Sequence, residues 1–220
     1  EIEKQIKVLC TDAGVRLVMF AAIPAMAGLM VLNGPIVQLF FGQGAFGGHA
    51  ADWTSQCLFF LAAGLWAYIG SRVFVTLHYA VGSFRDPLFA GMLSICANLV
   101  FASALTGPMG ITGLALSVSL SSAAGFVYLM FHPPAQVRFS RIQMVISACR
   151  ALFVSAIMAV TVKWAAGFLI NAAHGKLLLG AGVMACVMLG MAVVVFAARV
   201  LGFPELGMAV QWVKKRADTD

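Results

Sequence analysis

CLFFLAAGLWAYIGSRVFVTLHYAVGSFRDP, residues 57 to 87, decides how the rest of the chain is read. Its apolar run from Cys57 to Tyr79 is long enough to cross hydrocarbon as a helix, which takes about 20 residues for a thickness of about 30 Å. One arginine, Arg72, sits inside that run, and a short polar turn ending in Arg85-Asp86-Pro87 follows it. A charge at that depth costs about 2.5 to 3.5 kcal/mol on insertion scales, so it faces protein or water rather than lipid. The stretch therefore predicts a membrane helix that does something besides filling the bilayer.

Composition points the same way. Of 220 residues, 62% are hydrophobic and 10% charged, and the mean hydropathy is +0.97; soluble domains carry about 25% charged residues. Burying a soluble core does not explain several apolar runs of spanning length, so the chain reads as a polytopic membrane protein. The net charge of +6 is not a nucleic-acid signal until its location is known, because basic residues beside membrane spans set orientation. Cys10, Cys57, Cys96, Cys149 and Cys186 lie far apart without a Cys-x-x-Cys pair, which suits small packing residues rather than disulfides or a zinc site. Nothing calls for a cofactor. The first apolar run is too long for a signal peptide, and a start at Glu1 rather than Met reads as a fragment or processed form.

In order, residues 1–16 place Ile2, Ile6, Leu9 and Ala13 at helical spacing, predicting an amphipathic connector at the cytoplasmic surface. Residues 17–203 hold about six spans, over about 17–41, 57–79, 88–105, 113–131, 146–170 and 177–203, and residues 204–220 form a basic cytoplasmic tail. Pro24 and Asn33-Gly34-Pro35 predict a kinked or broken first span, since each proline removes a backbone donor. Phe41 to Gln56 reads as a glycine-rich loop. Its Gly42-x-Gly44-x-x-Gly47 matches a dinucleotide fingerprint, but that chemistry needs a strand before the glycines and a helix after them. A membrane span precedes them here, which favours a turn.

Asn98 falls near the middle of the third span. An amide in a membrane hydrogen-bonds across helices or contacts a polar substrate. Ser117, Ser121 and Gly125 in the fourth span, like Gly182, Cys186 and Gly190 in the sixth, recur at four-residue spacing, making faces that another helix can approach closely. With six spans both chain ends fall on one side. Lys4, Lys7, Arg16, Arg85, Arg138, Arg141, Arg150, Arg199 and Lys214-Lys215-Arg216 lie on or near it, against Lys163 and Lys176 opposite. The excess marks that side as cytoplasmic.

Several short motifs occur in one fixed order: Pro24-Ala-Met-Ala-Gly28-Leu29, Leu32-x-x-Pro35-Ile36-Val37, Phe41-x-x-Gly44-x-Phe46 and Ala63-Gly64-Leu65. His78-Tyr79 with Pro87 eight residues beyond the tyrosine, then Asn98 and Gly110-x-x-Gly113-Leu-Ala-Leu-Ser117, continue the series. Together, over about residues 16 to 130, they resemble the later half of the MurJ/MviN family of lipid II flippases, within the multidrug/oligosaccharidyl-lipid/polysaccharide exporter superfamily. Residues 132–220 match that family only in layout. The resemblance implies an all-α membrane protein, a bundle of about six transmembrane helices similar to the last six of a fourteen-helix, two-lobe flippase. It also implies a bacterial inner-membrane location, a lipid-linked anionic glycan as substrate, membrane lipids and the N-terminal lobe of the same protein as partners, and a final helix pair lining a groove for a lipid tail. The family's common Phe-Tyr pair is His78-Tyr79 here, and its usual turn aspartate is replaced by Ser83, with Asp86 nearby.

A flippase passes a diphosphate head group through hydrocarbon, which demands a wet, cationic cavity, and arginine's planar charged fork matches phosphate oxygens. Arg72 and Asn98 are therefore the candidate substrate-binding residues. For Arg72 the alternative is snorkelling to the cytoplasmic interface or capping a neighbour's carbonyls. Three rival functions are an exporter of another polyprenyl-linked glycan or drug, a membrane scaffold, and a membrane enzyme acting on lipid diphosphates. The enzyme needs clustered acids or histidines for metal or acid–base work. None of Glu1, Glu3, Asp12, Asp52, Asp86, Glu205, Asp218 and Asp220 falls within a span, and the four histidines are isolated, so no catalytic residue is predicted.

Overall fold

The computed structural model describes residues 12–41, 48–133, 141–171 and 176–200. Those residues form seven helices and no strand: α1 (Asp12–Phe41), α2 (Gly48–Ala63), α3 (Leu65–Ala80), α4 (Arg85–Met109), α5 (Ile111–Phe131), α6 (Arg141–Asn171) and α7 (Lys176–Val200). Five of them, α1, α4, α5, α6 and α7, are long and apolar enough to cross a membrane, and α2 with α3, bent by 43°, has the length and apolarity of a sixth span when taken as one broken helix. The all-α bundle of about six spans expected from the sequence is what forms. Of the connector expected at 1–16, Asp12–Arg16 belong to α1, and its remainder, the glycine motif at 42–47 and the basic tail at 204–220 lie outside the described residues.

The break predicted in the first span falls in the second. The α1 helix runs on through Pro24 and Pro35, which a membrane helix tolerates where neighbours re-satisfy the freed groups. Helix α2 begins at Gly48, inside the predicted loop, and stops at Ala63. The cause lies in one hydroxyl. Ser119 of α5 donates its Oγ–H to the carbonyl of Phe60 at 2.5 Å, the acceptor that Gly64 N–H would use in an unbroken helix. Gly64 N–H turns instead to Leu61 O at 3.2 Å, one residue short of the α-helical partner. A side chain inserted into the i→i−4 ladder in this way is a recognised source of sharp kinks.

The turn between the third and fourth spans is also tighter than the predicted Thr106 to Thr112. Helix α4 continues to Met109 and α5 starts at Ile111, with Gly110 alone between them at φ +60°, a backbone state that glycine adopts without a Cβ penalty. The hairpin then closes hard. A side chain at Gly113 would collide with Leu105 O, and one at Gly125 would collide with Ser94. Lipid supplies no hydrophobic drive between helices, so close van der Waals contact through small residues is what joins α4 to α5. The rest of α4 faces outward through Leu88, Phe89, Met92, Ile95 and Leu99.

At one end of the bundle Val15 and Met19 of α1, Phe74 and Leu77 of α3, Phe126 and Leu129 of α5, and Met144 of α6 pack into a single cluster. It joins the starts of α1 and α6 to the ends of α3 and α5, so successive spans run up and down. Arg16 belongs to the same end and donates to Gln143 Oε1 at 3.3 Å. Near the far end of α6, Lys163 and Trp164 are exposed, residue types suited to a membrane–water interface.

Replacing Gly64 by valine puts a Cβ 2.6 Å from Ser119 Cα, and overpacking of that kind costs about 1 to 3 kcal/mol. Thermal unfolding in nanodiscs should register the loss, whereas Gly91→Ala, whose Cβ meets nothing within 4 Å, should leave the midpoint unchanged or raise it.

Candidate functional site

A groove of about 410 Å³ opens between α1, α6 and α7. Its floor and walls come from Pro24, Gly28, Leu32 and Ile36 of α1, Met158 and Val162 of α6, and Cys186, Gly190, Met191 and Val194 of α7. Every lining residue is apolar. Glycines keep it open: a Cβ on Gly190 would stand 3.2 Å from Val162 Cγ2, and one on Gly28 would stand 3.7 Å from Met158 Cε. Binding sites for small molecules usually add a few placed polar groups to an apolar lining. Without them the groove can hold hydrocarbon and can offer nothing to a sugar or phosphate.

The polar features sit elsewhere. Helix α3 packs against α1 and α5, and its open side carries Tyr68, Arg72, Thr76 and Tyr79, a stripe at spacings of four, four and three. Arg72 Nη2 donates to Tyr68 Oη at 3.0 Å, and its Cζ lies 5.0 Å from the centroid of that ring. The tyrosine orients the guanidinium through a hydrogen bond and a cation–π contact and leaves its charge whole. Among the described residues no carboxylate forms an ion pair with Arg72.

Asn98 is placed in the seam between α4 and α5, half-buried. Its Nδ2 lies 3.4 Å from Ser121 Oγ and 3.5 Å from Ser117 Oγ. Both hydroxyls donate to carbonyls of their own helix, Ser117 to Leu114 O and Ser121 to Val118 O, so each oxygen is free to accept from the amide. The structure thus brings Asn98 together with the small-residue face of α5 and sets it apart from Arg72, which lies on another helix. A third polar junction, at the end of α3, surrounds the buried ring of His78, with its Nε2 3.7 Å from Asp86 Oδ2.

Sequence reasoning missed the groove as a set of residues. Gly28 was visible in a motif and Gly190 in a small-residue repeat, but nothing in the chain says that these two glycines face one cavity. His78 was noted only as an unusual residue type, because burial and partners cannot be read from one histidine.

The family model described as lipid II flippase MurJ matches residues 3–182. The chain belongs to the MurJ family. Among curated MurJ relatives, the probable lipid II flippase of Thermotoga maritima is 34% identical over 111 residues, covering 50% of this chain and 24% of that protein. The probable lipid II flippase MurJ of Vibrio cholerae is 31% identical over 111 residues, 50% of this chain and 21% of that protein. A solved lipid II flippase MurJ in an inward closed conformation superposes with a TM-score of 0.72 at 19% identity, over 91% of this chain and 42% of that one. The MurJ resemblance drawn from motifs is therefore family membership, and the bundle has the MurJ fold. The matched stretch spans less than half the length of any of these three proteins. The chain is a multi-pass membrane protein of a family of transporters.

Asn98→Ala should cost the bundle about 0.6 to 2 kcal/mol, the range for interhelical hydrogen bonds in membranes. A double-mutant cycle with Ser121→Ala, read by unfolding in nanodiscs, should show the two losses to be coupled; strictly additive losses would argue against the clasp.

Proposed function

We propose that this chain forms the later part of a flippase that moves lipid II, the lipid-linked peptidoglycan precursor, from the cytoplasmic to the periplasmic leaflet by alternating access. The observation that carries this reading is the wholly apolar groove between α1, α6 and α7, in a chain whose family model is that of a lipid II flippase. The substrate has two incompatible ends. Its prenyl tail gains nothing by leaving hydrocarbon, and a glycine-walled apolar groove keeps it there. Its diphosphate head cannot cross hydrocarbon and needs water and positive charge along the path.

Arg72 supplies positive charge on the open side of α3. In this reading the helices that precede this stretch in longer relatives close over that side, making a wet cavity in which the guanidinium meets phosphate oxygens through a bidentate fork. Tyr68 holds the fork out from α3 in readiness. Asn98 contributes by keeping α4 and α5 moving as one body. The end of the bundle that carries Arg16 and Arg85 is assigned to the cytoplasm by its positive charge. The groove addresses the tail alone, so another polyprenyl-linked glycan would fit the same geometry, and the identity of the accumulating precursor separates the two.

Complementation of a cell depleted of its own lipid II flippase is the test, with the protein expressed from its own gene. Arg72→Ala should lower rescue at least tenfold, a loss of about 1.4 kcal/mol, and Arg72→Lys should restore part of it, with equal amounts of protein in the membrane. Filling the groove with Gly190→Phe should make lipid II accumulate in the same way. Full rescue by Arg72→Ala would sink the role given to that residue, and accumulation of a different lipid-linked glycan would sink the choice of cargo.

A further inference from the structure

The end of the bundle opposite Arg16 carries a second cleft, of about 230 Å³, where the start of α2 meets the turn between α4 and α5. Trp53 and Gln56, one helical turn apart on α2, form one wall, and Met109, Gly110, Ile111 and Thr112 form the other. Its volume falls below the roughly 300 to 1,000 Å³ that takes a drug-sized molecule. The cleft therefore suits a single ring.

Unlike the groove between α1, α6 and α7, this cleft sets an aromatic face beside polar groups. Trp53 is 56% exposed, and Gln56 is exposed next to it. Among the described residues no hydrogen bond engages the indole N–H or the Gln56 amide. The indole offers one donor, and the amide offers two donors and an acceptor. Thr112 Oγ1 gives its proton to Met109 O at 2.7 Å, which leaves its oxygen lone pairs to accept. No lining residue is charged, and Asp52, exposed and adjacent to Trp53 in the chain, adds negative charge nearby. An anion is disfavoured there, and an alkyl chain would leave the polar groups unpaired.

One chemical class uses all of these features together. A pyranose ring has a face of C–H bonds, whose partly positive hydrogens meet the negative face of an aromatic ring, and a rim of hydroxyls that both donate and accept. We propose that the cleft between Trp53 and Gly110 binds one neutral pyranose ring, stacked on the indole with its hydroxyls paired to Gln56 and Thr112. The ring belongs either to a free glycan on that side of the membrane or to the sugar of a lipid-linked glycan delivered there. The site stands on its own geometry, and only the second source rests on the flippase reading, in which this end opens to the periplasm.

The test uses the protein expressed from its own gene, labelled with ¹⁵N-tryptophan and held in nanodiscs, with Trp53→Phe identifying the Trp53 indole signal. At least one of the soluble disaccharides chitobiose and cellobiose should move that signal saturably, while glycerol at equal hydroxyl concentration should not. Gln56→Ala, a change at an exposed position, should weaken the apparent affinity about fivefold, the net worth of one hydrogen bond. Lipid II built into the same nanodiscs separates the sources: a matching shift assigns the ring to the lipid-linked glycan, and a shift with the disaccharide alone assigns it to free glycan. A Trp53 signal that ignores both disaccharides, a shift that glycerol reproduces, or an affinity that Gln56→Ala leaves unchanged would overturn the site, whatever complementation shows about transport.

Discussion

In hydrocarbon every backbone N–H and C=O must find its partner within the protein, because no water is there to replace one. The bundle depends on how that demand is met where helices are interrupted. At Gly64 it is met by a side chain: Ser119 takes the Phe60 carbonyl, Gly64 turns to Leu61, and the second crossing bends by 43° without leaving an acceptor bare. At Gly110 the answer is a one-residue turn whose N–H returns to Thr106 O. At His132 it is an imidazole reaching across from α3. At Gly64 and His132 the interruption is thus a contact between helices, and it ties α2 and α3 to α5.

The polar side chains inside the spans solve the same problem in three ways. Asn98 finds two hydroxyls on the adjacent helix and becomes an internal clasp. His78 finds two carbonyls and a carboxylate and joins three elements at one point. Among the described residues, the Arg72 side chain finds a tyrosine on its own helix and keeps its charge turned outward. A permanent cation left on an open face of a membrane helix is expensive in lipid, so the arrangement makes physical sense beside water or an anion. The apolar groove is lined by α1, α6 and α7 and not by α3.

Much of the fold was legible in the chain because hydropathy counts residues and a bilayer has a fixed thickness. About six apolar segments of spanning length and their order follow from that alone, and the ordered motifs from Pro24 to Ser117 are enough to suggest the family. The small-residue faces on α5 and α7 were legible for a similar reason, since spacing of four puts residues on one side of a helix. Local breaks were not. Prolines mark α1 as kinked or broken, yet the helix runs without a break through both, and no residue in Gly48–Gln56 signals that the helix starts there rather than at Cys57.

By itself, then, the sequence determined which segments are long and apolar enough to cross a membrane and which residues are too polar to be there without a reason. Length and hydrophobicity are properties of a segment, and they act before any segment meets another. Only the tertiary structure decided what each polar residue touches: that Asn98 is a clasp, that Arg72 keeps its charge open, that His78 bridges two helix ends, and that Gly28 and Gly190 share one groove. Those outcomes depend on which faces of separate helices come within a few ångströms of one another, and that is set by the joint packing of all of them.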